Sequence, residues 1–375
     1  MKFILRENLK TGMRLGRPIY SKDGTLLYNV GSRLTEQGII SVNNFGVIGL
    51  YILEEAEPVP ILSDEEIELE RFLIAGTTKL YIDWEKIRSG MIPVYLPSLV
   101  SEIVSKYGDL DHKISFFQTI RSSEDKRYKH CLSMAILCAM ICSRMGKRRS
   151  EMNTCVTTAL LHDIGWLDIP KELRDKTDVE LTEEEKKALS VEEYKSLQYL
   201  ETKANNLPAI RQLMGQHFRM RRMERFGRLD PETRSYSDAT KILTVACAFD
   251  RLTSMDIGKE PVTELSAVRI MRKDTDLFDT PVLNALIDSV NVLVSGCSVK
   301  LTNGLSGCVI KENPFYMAKP VVLLFDNNEM LDLADVKKHG TLAVDDVVKT
   351  LDNRWVIDRA FIDAYMASLK RKKQR

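Results

Sequence analysis

The feature that most constrains the fold is a long stretch, residues 66 to 295, in which apolar side chains recur at helical spacing. Segments such as YKHCLSMAILCAMICSRMG and SDATKILTVACAFDRLTS carry apolar residues at i, i+3, i+4 and i+7. Such stripes bury one face of each helix, so the stretch predicts an all-helical domain. Its most apolar run, residues 131 to 142, is too short to span a bilayer and precedes basic residues, which indicates a core helix.

The segments on both sides of this helical stretch have sequence patterns typical of β-structure. Residues 1 to about 55 alternate short apolar runs with glycine-containing turns, and they include one short helix that Thr35 is placed to cap. After Gly296, β-branched residues surround an Asn303-Gly304 pair, which is typical of a hairpin. The sequence therefore predicts a mainly α protein, an all-helical domain with two β-rich additions. The predicted divisions are a small N-terminal β-rich domain (1–58), a linker with lead-in helices (59–100), the helical domain (101–295), and a C-terminal β appendage with a basic tail (296–375).

Charge and cysteine usage limit the environment and the partners. The chain has 54 Lys plus Arg against 53 Asp plus Glu, so no overall field attracts it to DNA or to an anionic membrane. Its seven cysteines form no C-x-x-C pair, and reduced thiols in apolar surroundings suit a cytoplasmic protein. The first residues, MKFILRENLKTG, lack the hydrophobic region of a secretory signal.

Polar residues occur where two of the apolar helices begin or end. His130 lies near the start of one helix, and the pair His162-Asp163 follows another in ALLHDIGWLDIP. Imidazoles and carboxylates are the usual ligands of a metal that activates water for phosphodiester hydrolysis. A helix-end His-Asp pair is also a common hydrogen-bonded cap, so these residues alone leave both interpretations open.

Several motifs together resemble the HD-GYP class of HD-domain phosphohydrolases. RYKHCLSMA, LLHDIG with DIP, LTEEE, QHFR and ILTVACAFDRLTS occur in the order and at about the spacing of that class. Residues 1 to 55 resemble the small N-terminal domain often fused to these proteins, and GCSVKLTNGLSGCVIKENP resembles the strand pair that closes the helical domain. The resemblance implies an all-helical metal-dependent domain that opens cyclic di-GMP.

The resemblance carries over to the ligand positions only in part. His130 and the pair His162-Asp163 match, and His217 matches one histidine of an adjacent pair whose other member is Gln216 here. A further family histidine falls on Glu192, and the final aspartate falls on Cys247. The resemblance thus implies Asp163 and His162 as catalytic residues and a metal-ligand set of His130, His162, Asp163, His217, Cys247 and Glu192. A thiolate ligand favours Zn or Fe over Mg; alternatively, Cys247 is a small hydrophobe that fills the core and no metal is bound.

Other departures concern the substrate. The lysine that usually follows the HDIG motif is Trp166, which either plugs the pocket or stacks on a base, and the GYP signature is missing. The basic run after His217 contains Arg219, Arg221 and Arg222, which either bind substrate phosphates or form a solvated helix face.

Two functional hypotheses follow. The first is a cytoplasmic metal-dependent phosphohydrolase that uses Fe, Mn or Zn and acts on cyclic di-GMP or a related phosphodiester. The second is a catalytically inactive signalling module of the same fold that binds a partner protein or a cyclic dinucleotide. Homodimerisation is open under both hypotheses.

Overall fold

The protein is described from a computed structural model that covers residues 2–21, 24–53, 59, 62–116, 118–174, 176, 180–202, 207–227, 231–293, 295–313 and 316–348. The predicted domain boundary near residue 58 and the predicted basic tail lie outside these residues. The predicted fold class is confirmed: the protein is mainly α, with β-sheets at both ends of the helical part.

The N-terminal part contains two small antiparallel sheets and one helix. Strands β1, β5 and β2 pair in that order, and β3 pairs with β4. Thr35 caps the helix as predicted, because its side-chain oxygen accepts a hydrogen bond from the backbone N–H of Gly38 at 3.0 Å. The elements are β1 Lys2–Leu5, β2 Arg14–Leu15, β3 Ile19–Tyr20, β4 Leu26–Tyr28, α1 Glu36–Asn44 and β5 Gly49–Leu53.

This part has an apolar core of its own. Leu15, Leu34 and Leu50 are fully or almost fully buried there, between the sheet of β1, β5 and β2 and the helix α1. It contacts the helical part at the segment that precedes α4, where the backbone N–H of Ile48 donates to the carbonyl of Arg121 at 3.0 Å, and at Met255 after α10, which packs on Ile48 and Tyr51.

The helical part follows from residue 64. Helix α2 begins in a capping box, in which Ser63 accepts from the N–H of Glu66 and the Glu66 carboxylate accepts from the N–H of Ser63. The helices are α2 Asp64–Arg88, α3 Leu96–Tyr107, α4 Lys126–Arg144, α5 Arg149–Leu161, α6 Lys171–Arg174, α7 Glu183–Glu193, α8 Lys195–Tyr199, α9 Pro208–Phe226, α10 Asp238–Thr253, α11 Glu264–Arg272 and α12 Thr280–Ile287, with a 3-10 helix Ile164–Asp168 between α5 and α6.

Helix α4 is the centre of this part. Every residue from Cys131 to Cys142 is buried, which confirms the prediction of a core helix from the apolar run. Helices α2, α5 and α10 pack around it. Within the described ranges, no helix combines the length and the apolar character needed to span a bilayer.

The C-terminal β-structure is larger than a hairpin. Strands β6 and β7 form the predicted hairpin, and Gly304 has the positive φ of 87° that its turn requires. Three further strands extend it to a sheet of order β10-β6-β7-β8-β9, whose apolar face belongs to the same core as the helices. The elements are β6 Ser298–Leu301, β7 Ser306–Lys311, β8 Val321–Leu324, β9 Met330–Asp332, α13 Val336–His339 and β10 Val344–Val347.

Candidate metal centre

The packing of four helices brings the predicted ligands together. His130 lies on α4, His162 and Asp163 directly follow α5, His217 lies on α9 and Cys247 on α10. All five side chains are buried, with exposed fractions between 0% and 3%. The structure therefore places in one closed centre five residues that are far apart in the sequence.

Three imidazoles form a row through this centre. The ring centroids of His130 and His162 are 5.3 Å apart, and those of His162 and His217 are 5.5 Å apart, both in edge-to-face orientation. The Nδ1 atom of His162 lies 2.8 Å from the carbonyl oxygen of Ala159, which leaves Nε2 directed into the centre. Neither His162 Nε2 nor either ring nitrogen of His217 has a hydrogen-bond partner among the described residues. Such orphaned buried nitrogens are unusual and indicate a missing ligand.

Cys247 faces this row. Its Sγ lies 3.7 Å from Nε2 of His130. Burial raises the pKa of the Cys247 thiol, but contacts with His130, His162 and His217 outweigh burial and hold the pKa well below its usual value. Burial lowers the pKa of His217 to about 4. The neighbouring imidazoles thus favour the thiolate form of Cys247 and burial favours the neutral form of His217, and these are the forms in which both side chains bind a soft divalent ion.

A buried chain of charged groups holds His130 in position. The Asp250 carboxylate lies 2.6 Å from Nδ1 of His130, and it accepts a hydrogen bond of 2.7 Å from Arg121. Gln118 donates to the same carboxylate at 3.2 Å. Burial alone would lower the pKa of His130, but hydrogen bonds to Asp250 and Cys247 raise it to about 9. Arg121, Asp250, His130 and Cys247 thus form a row of alternating charges.

Asp163 is held differently, because two arginines occupy its carboxylate. Arg221 on α9 donates to Oδ1 at 2.7 Å, and Arg127 on α4 donates to Oδ2 at 3.2 Å. Burial raises the pKa of Asp163, but nearby His162, Arg221 and Arg127 outweigh it and hold the pKa well below its usual value. The carboxylate is therefore ionised and already neutralised by protein cations.

Trp166 closes the centre on the side of Arg127. Its indole is buried, and the guanidinium carbon of Arg127 lies 3.8 Å from the ring centroid. This is a close cation–π stack, which orients Arg127 toward Asp163. The Trp166 ring also packs on Ile169, Leu181 and Leu189 as part of a small apolar cluster. It is thus fixed by contacts with the protein.

Gln216 and the predicted residues Arg219 and Arg222 have partners outside the row of imidazoles. Gln216 accepts a hydrogen bond of 2.6 Å from Thr240. Arg219 pairs with Glu232, and Arg222 donates to the hydroxyl of Tyr194. Glu192 belongs to α7, and its side chain is outside what the structure describes. Of the three arginines predicted to bind substrate, only Arg221 contacts the centre.

Sequence reasoning missed the groups that surround the ligands. Asp250, Arg121 and Arg127 were not singled out, although each is within hydrogen-bond distance of a ligand or of its partner. A signal existed for Asp250, because it is a charged residue three positions after Cys247 in an otherwise apolar helix. No comparable signal existed for the two arginines, whose partners lie far along the chain.

The donor set fits one metal ion. The ligand atoms of His130, His162 and Cys247 lie within 4.8 Å of one another, as do those of Cys131, His162 and Asp163. The first group supplies two nitrogens and one sulfur, a set suited to Zn or Fe, and the ring of His217, whose nitrogens lack a hydrogen-bond partner among the described residues, stacks edge-to-face on His162 beside it. At the second group, the two carboxylate oxygens of Asp163 also accept hydrogen bonds from Arg127 and Arg221, so these arginines would compete with an ion for Asp163.

Comparison with known proteins identifies the class. Residues 127–252 match the family model of the HD domain. The matched range contains His130, His162, Asp163, His217 and Cys247. The HD-domain resemblance predicted from the sequence is confirmed.

The chain was also compared with solved structures and with curated proteins. The chain is similar to Bd1817, described as a HDG"Y"P protein from Bdellovibrio bacteriovorus, at 14% identity and a TM-score of 0.45. The similarity covers 76% of this chain and 98% of that one. No curated protein matches.

Proposed function

We propose that this protein is a catalytically inactive signalling module of the HD-GYP type, in which the HD centre stabilises the fold and does not turn over substrate. The observation that carries this proposal is the occupation of both Asp163 oxygens by Arg221 and Arg127. In metal-dependent hydrolysis a carboxylate must hold the metal and orient the attacking water. Here that carboxylate forms ion pairs with two arginines of the protein.

The closed geometry supports the same conclusion. A phosphodiester must reach the metal, but the side chains of the centre are at most 3% exposed and Trp166 covers the neighbouring wall. The family's lysine at this position would neutralise a phosphate, whereas an indole carries no charge to do so. We infer that the substrate path of an active relative is filled by protein atoms here.

A second candidate function is metal-dependent phosphohydrolysis, and the cluster of His130, His162 and Cys247 favours it. A bound Zn, Fe or Mn would act as a Lewis acid on a phosphodiester. His130, His162, His217 and Cys247 would hold it, and Asp163 would take part only after leaving Arg221. For either function we propose the cytoplasm, which the seven free thiols support.

Signalling requires a ligand or a partner. By the resemblance, the ligand is cyclic di-GMP or a related phosphodiester, and the partner is a signalling protein or a second copy of this chain. The near balance of charges gives no overall field that would attract DNA, so the proposal does not include DNA as a partner.

The deciding experiment measures metal content and turnover on the same sample. The chain is purified without oxygen, loaded with Mn, Fe or Zn, and assayed with cyclic di-GMP and with bis(p-nitrophenyl) phosphate. The proposal expects no turnover above that of the His162→Ala variant in any metal. Metal-dependent turnover that His162→Ala abolishes, while the exposed-site variant His112→Ala retains it, overturns the proposal in favour of the enzyme.

A further inference from the structure

A cavity of about 580 Å³ lies between the N-terminal sheets and the helical part, on the outer side of Trp166. Strand β3, helix α2, the segment before α4, the start of α4 and helix α6 contribute to its wall. Its size falls in the range of small-molecule binding sites, roughly 300 to 1,000 Å³. The lining residues that carry the argument are Glu70, Tyr81, Thr119, Tyr128, Lys171 and Arg174.

Two buried polar atoms on this wall have no partner. Thr119 is 5% exposed and Glu70 is 3% exposed. Neither Thr119 Oγ1 nor Glu70 Oε2 makes a hydrogen bond to any described residue. A buried polar group without a hydrogen bond is costly, so such groups on a cavity wall indicate a polar ligand.

The cations on the wall are not equivalent. Three of them form ion pairs: Arg121 with Asp250, Arg127 with Asp163, and Lys129 with Asp125. Lys171 and Arg174 are on the rim, and within the described part of the chain neither has an acidic group in ion-pair distance. Two uncommitted cations one turn apart on α6 are suited to a phosphate group.

Aromatic rings also line the cavity. Tyr81 lines the cavity and is 51% exposed. It packs edge-to-face on Tyr128 at 5.7 Å between centroids, and Tyr128 in turn packs on the buried Trp84 at 4.7 Å. The exposed face of Tyr81 is therefore held by a rigid aromatic stack, and it offers a stacking surface for a planar base.

From these observations we propose that the cavity binds a nucleotide, with its base against Tyr81 and Tyr128 and its phosphate on Lys171 and Arg174. Thr119 and Glu70 hydrogen-bond polar groups of the ligand. The site joins residues of the N-terminal part to those of the helical part, so ligand binding there couples the two. The proposal does not depend on whether the HD centre hydrolyses anything.

The test is calorimetric titration of the full chain with GMP, AMP, cyclic di-GMP, guanosine and pyrophosphate. We expect at least one nucleotide to bind with one site per chain and guanosine to bind at least tenfold more weakly. The double variant Lys171→Ala/Arg174→Ala weakens nucleotide and pyrophosphate binding at least tenfold. The matched control Arg148→Ala/Arg149→Ala, which removes two surface cations at the start of α5, leaves both unchanged.

Two single variants separate the contributions of base and hydroxyl. Tyr81→Leu weakens nucleotide binding and leaves pyrophosphate unchanged, because it removes only the stacking face. Thr119→Val, which keeps the shape and removes the hydroxyl, weakens nucleotide binding about fivefold. Thermal melting of each variant checks that the fold is intact.

Three results overturn the proposal. They are no binding of any nucleotide at millimolar concentration, equal binding by the Lys171→Ala/Arg174→Ala variant, and binding lost in Cys247→Ala but kept in Lys171→Ala/Arg174→Ala. The last result places the nucleotide at the HD centre. The proposed lack of hydrolysis is tested by turnover alone, so the two proposals fail separately.

Discussion

Arg221 and Asp163 form a buried ion pair, with 2.7 Å between Nη1 and Oδ1 and both side chains at most 5% exposed. The pair puts a fixed protein cation beside the carboxylate of the HD motif. Removing one member of a buried pair leaves the other charge uncompensated, at a cost of about 3 to 5 kcal/mol. The arginine is therefore both a stabilising element and a competitor for any metal.

The first prediction concerns stability. We expect Arg221→Met to lower the free energy of unfolding by about 3 to 5 kcal/mol, because Asp163 stays buried with Arg127 alone. Arg222→Met on the same helix serves as the control, and it should cost less than about 1 kcal/mol, as exposed polar contacts do. Urea unfolding measures both. Equal decreases in the free energy of unfolding in the two variants would mean that the buried pair stabilises the protein no more than an exposed contact does.

The second prediction uses the same substitution to test competition. If Arg221 prevents Asp163 from binding metal, Arg221→Met should tighten Mn binding by roughly tenfold, which corresponds to about 1.4 kcal/mol. Calorimetric titration of the metal-free protein measures the affinity. The double variant Arg221→Met/Asp163→Asn is the control, since it lacks the released carboxylate and should show no gain. Unchanged affinity in Arg221→Met would contradict the competition.

Much of the fold could be predicted because its signals are local. Thr35 at a cap, the Asn303-Gly304 turn and the buried run from Cys131 to Cys142 are each decided by neighbouring residues, and all three appear as predicted. The sequence predicted only a hairpin where the structure has a five-stranded sheet, because the signals of the other strands are not local. Strands β8 and β9 are four and three residues long, and β10 joins β6 from a distant position in the chain. Such short strands are defined by their partners more than by their own sequence.

For the site, too, only the features that depend on neighbouring residues could be predicted. The ligand positions could be proposed from motifs, but the groups that decide their chemistry could not. Arg121 and Asp250 are 129 positions apart, and Arg221 and Asp163 are 58 apart. A basic run such as that after His217 is usually a solvated face. Here α9 packs against α5 and α10, so Arg221 points inward while Arg219 and Arg222 remain outside. Pairing of this kind depends on tertiary structure.

The third prediction concerns the chain of charges that ends at His130. We expect Asp250→Asn to cost about 3 to 5 kcal/mol, because it leaves Arg121 and His130 buried without their shared counter-ion. The control is Asp288→Asn, an exposed carboxylate 3.9 Å from Lys113, for which less than about 1 kcal/mol is expected. Chemical unfolding gives both values. A small loss in Asp250→Asn would show that the alternating charges are not coupled.

The fourth prediction concerns pH. Burial raises the pKa of Glu70 to about 7, although Arg17 and Lys129 act against it, and Glu66 adds to the rise. Between the ordinary value near 4.5 and about 7, the native state keeps the Glu70 proton while the unfolded state releases it. The folded state therefore binds more protons, and this residue lowers stability as pH rises through that window.

Glu70→Gln removes the titration and keeps the shape. At pH 4.5 or below the variant and the parent should differ little, and at pH 8 the variant should be more stable by on the order of 1 to 3 kcal/mol. Glu68→Gln, on the exposed face of the same helix, should show no such pH-dependent gain. Urea unfolding of the three proteins from pH 4.5 to 8 measures the difference. A gain for Glu70→Gln that is the same at every pH would mean that Glu70 keeps an ordinary pKa, and that the cavity wall is better hydrated than its burial indicates.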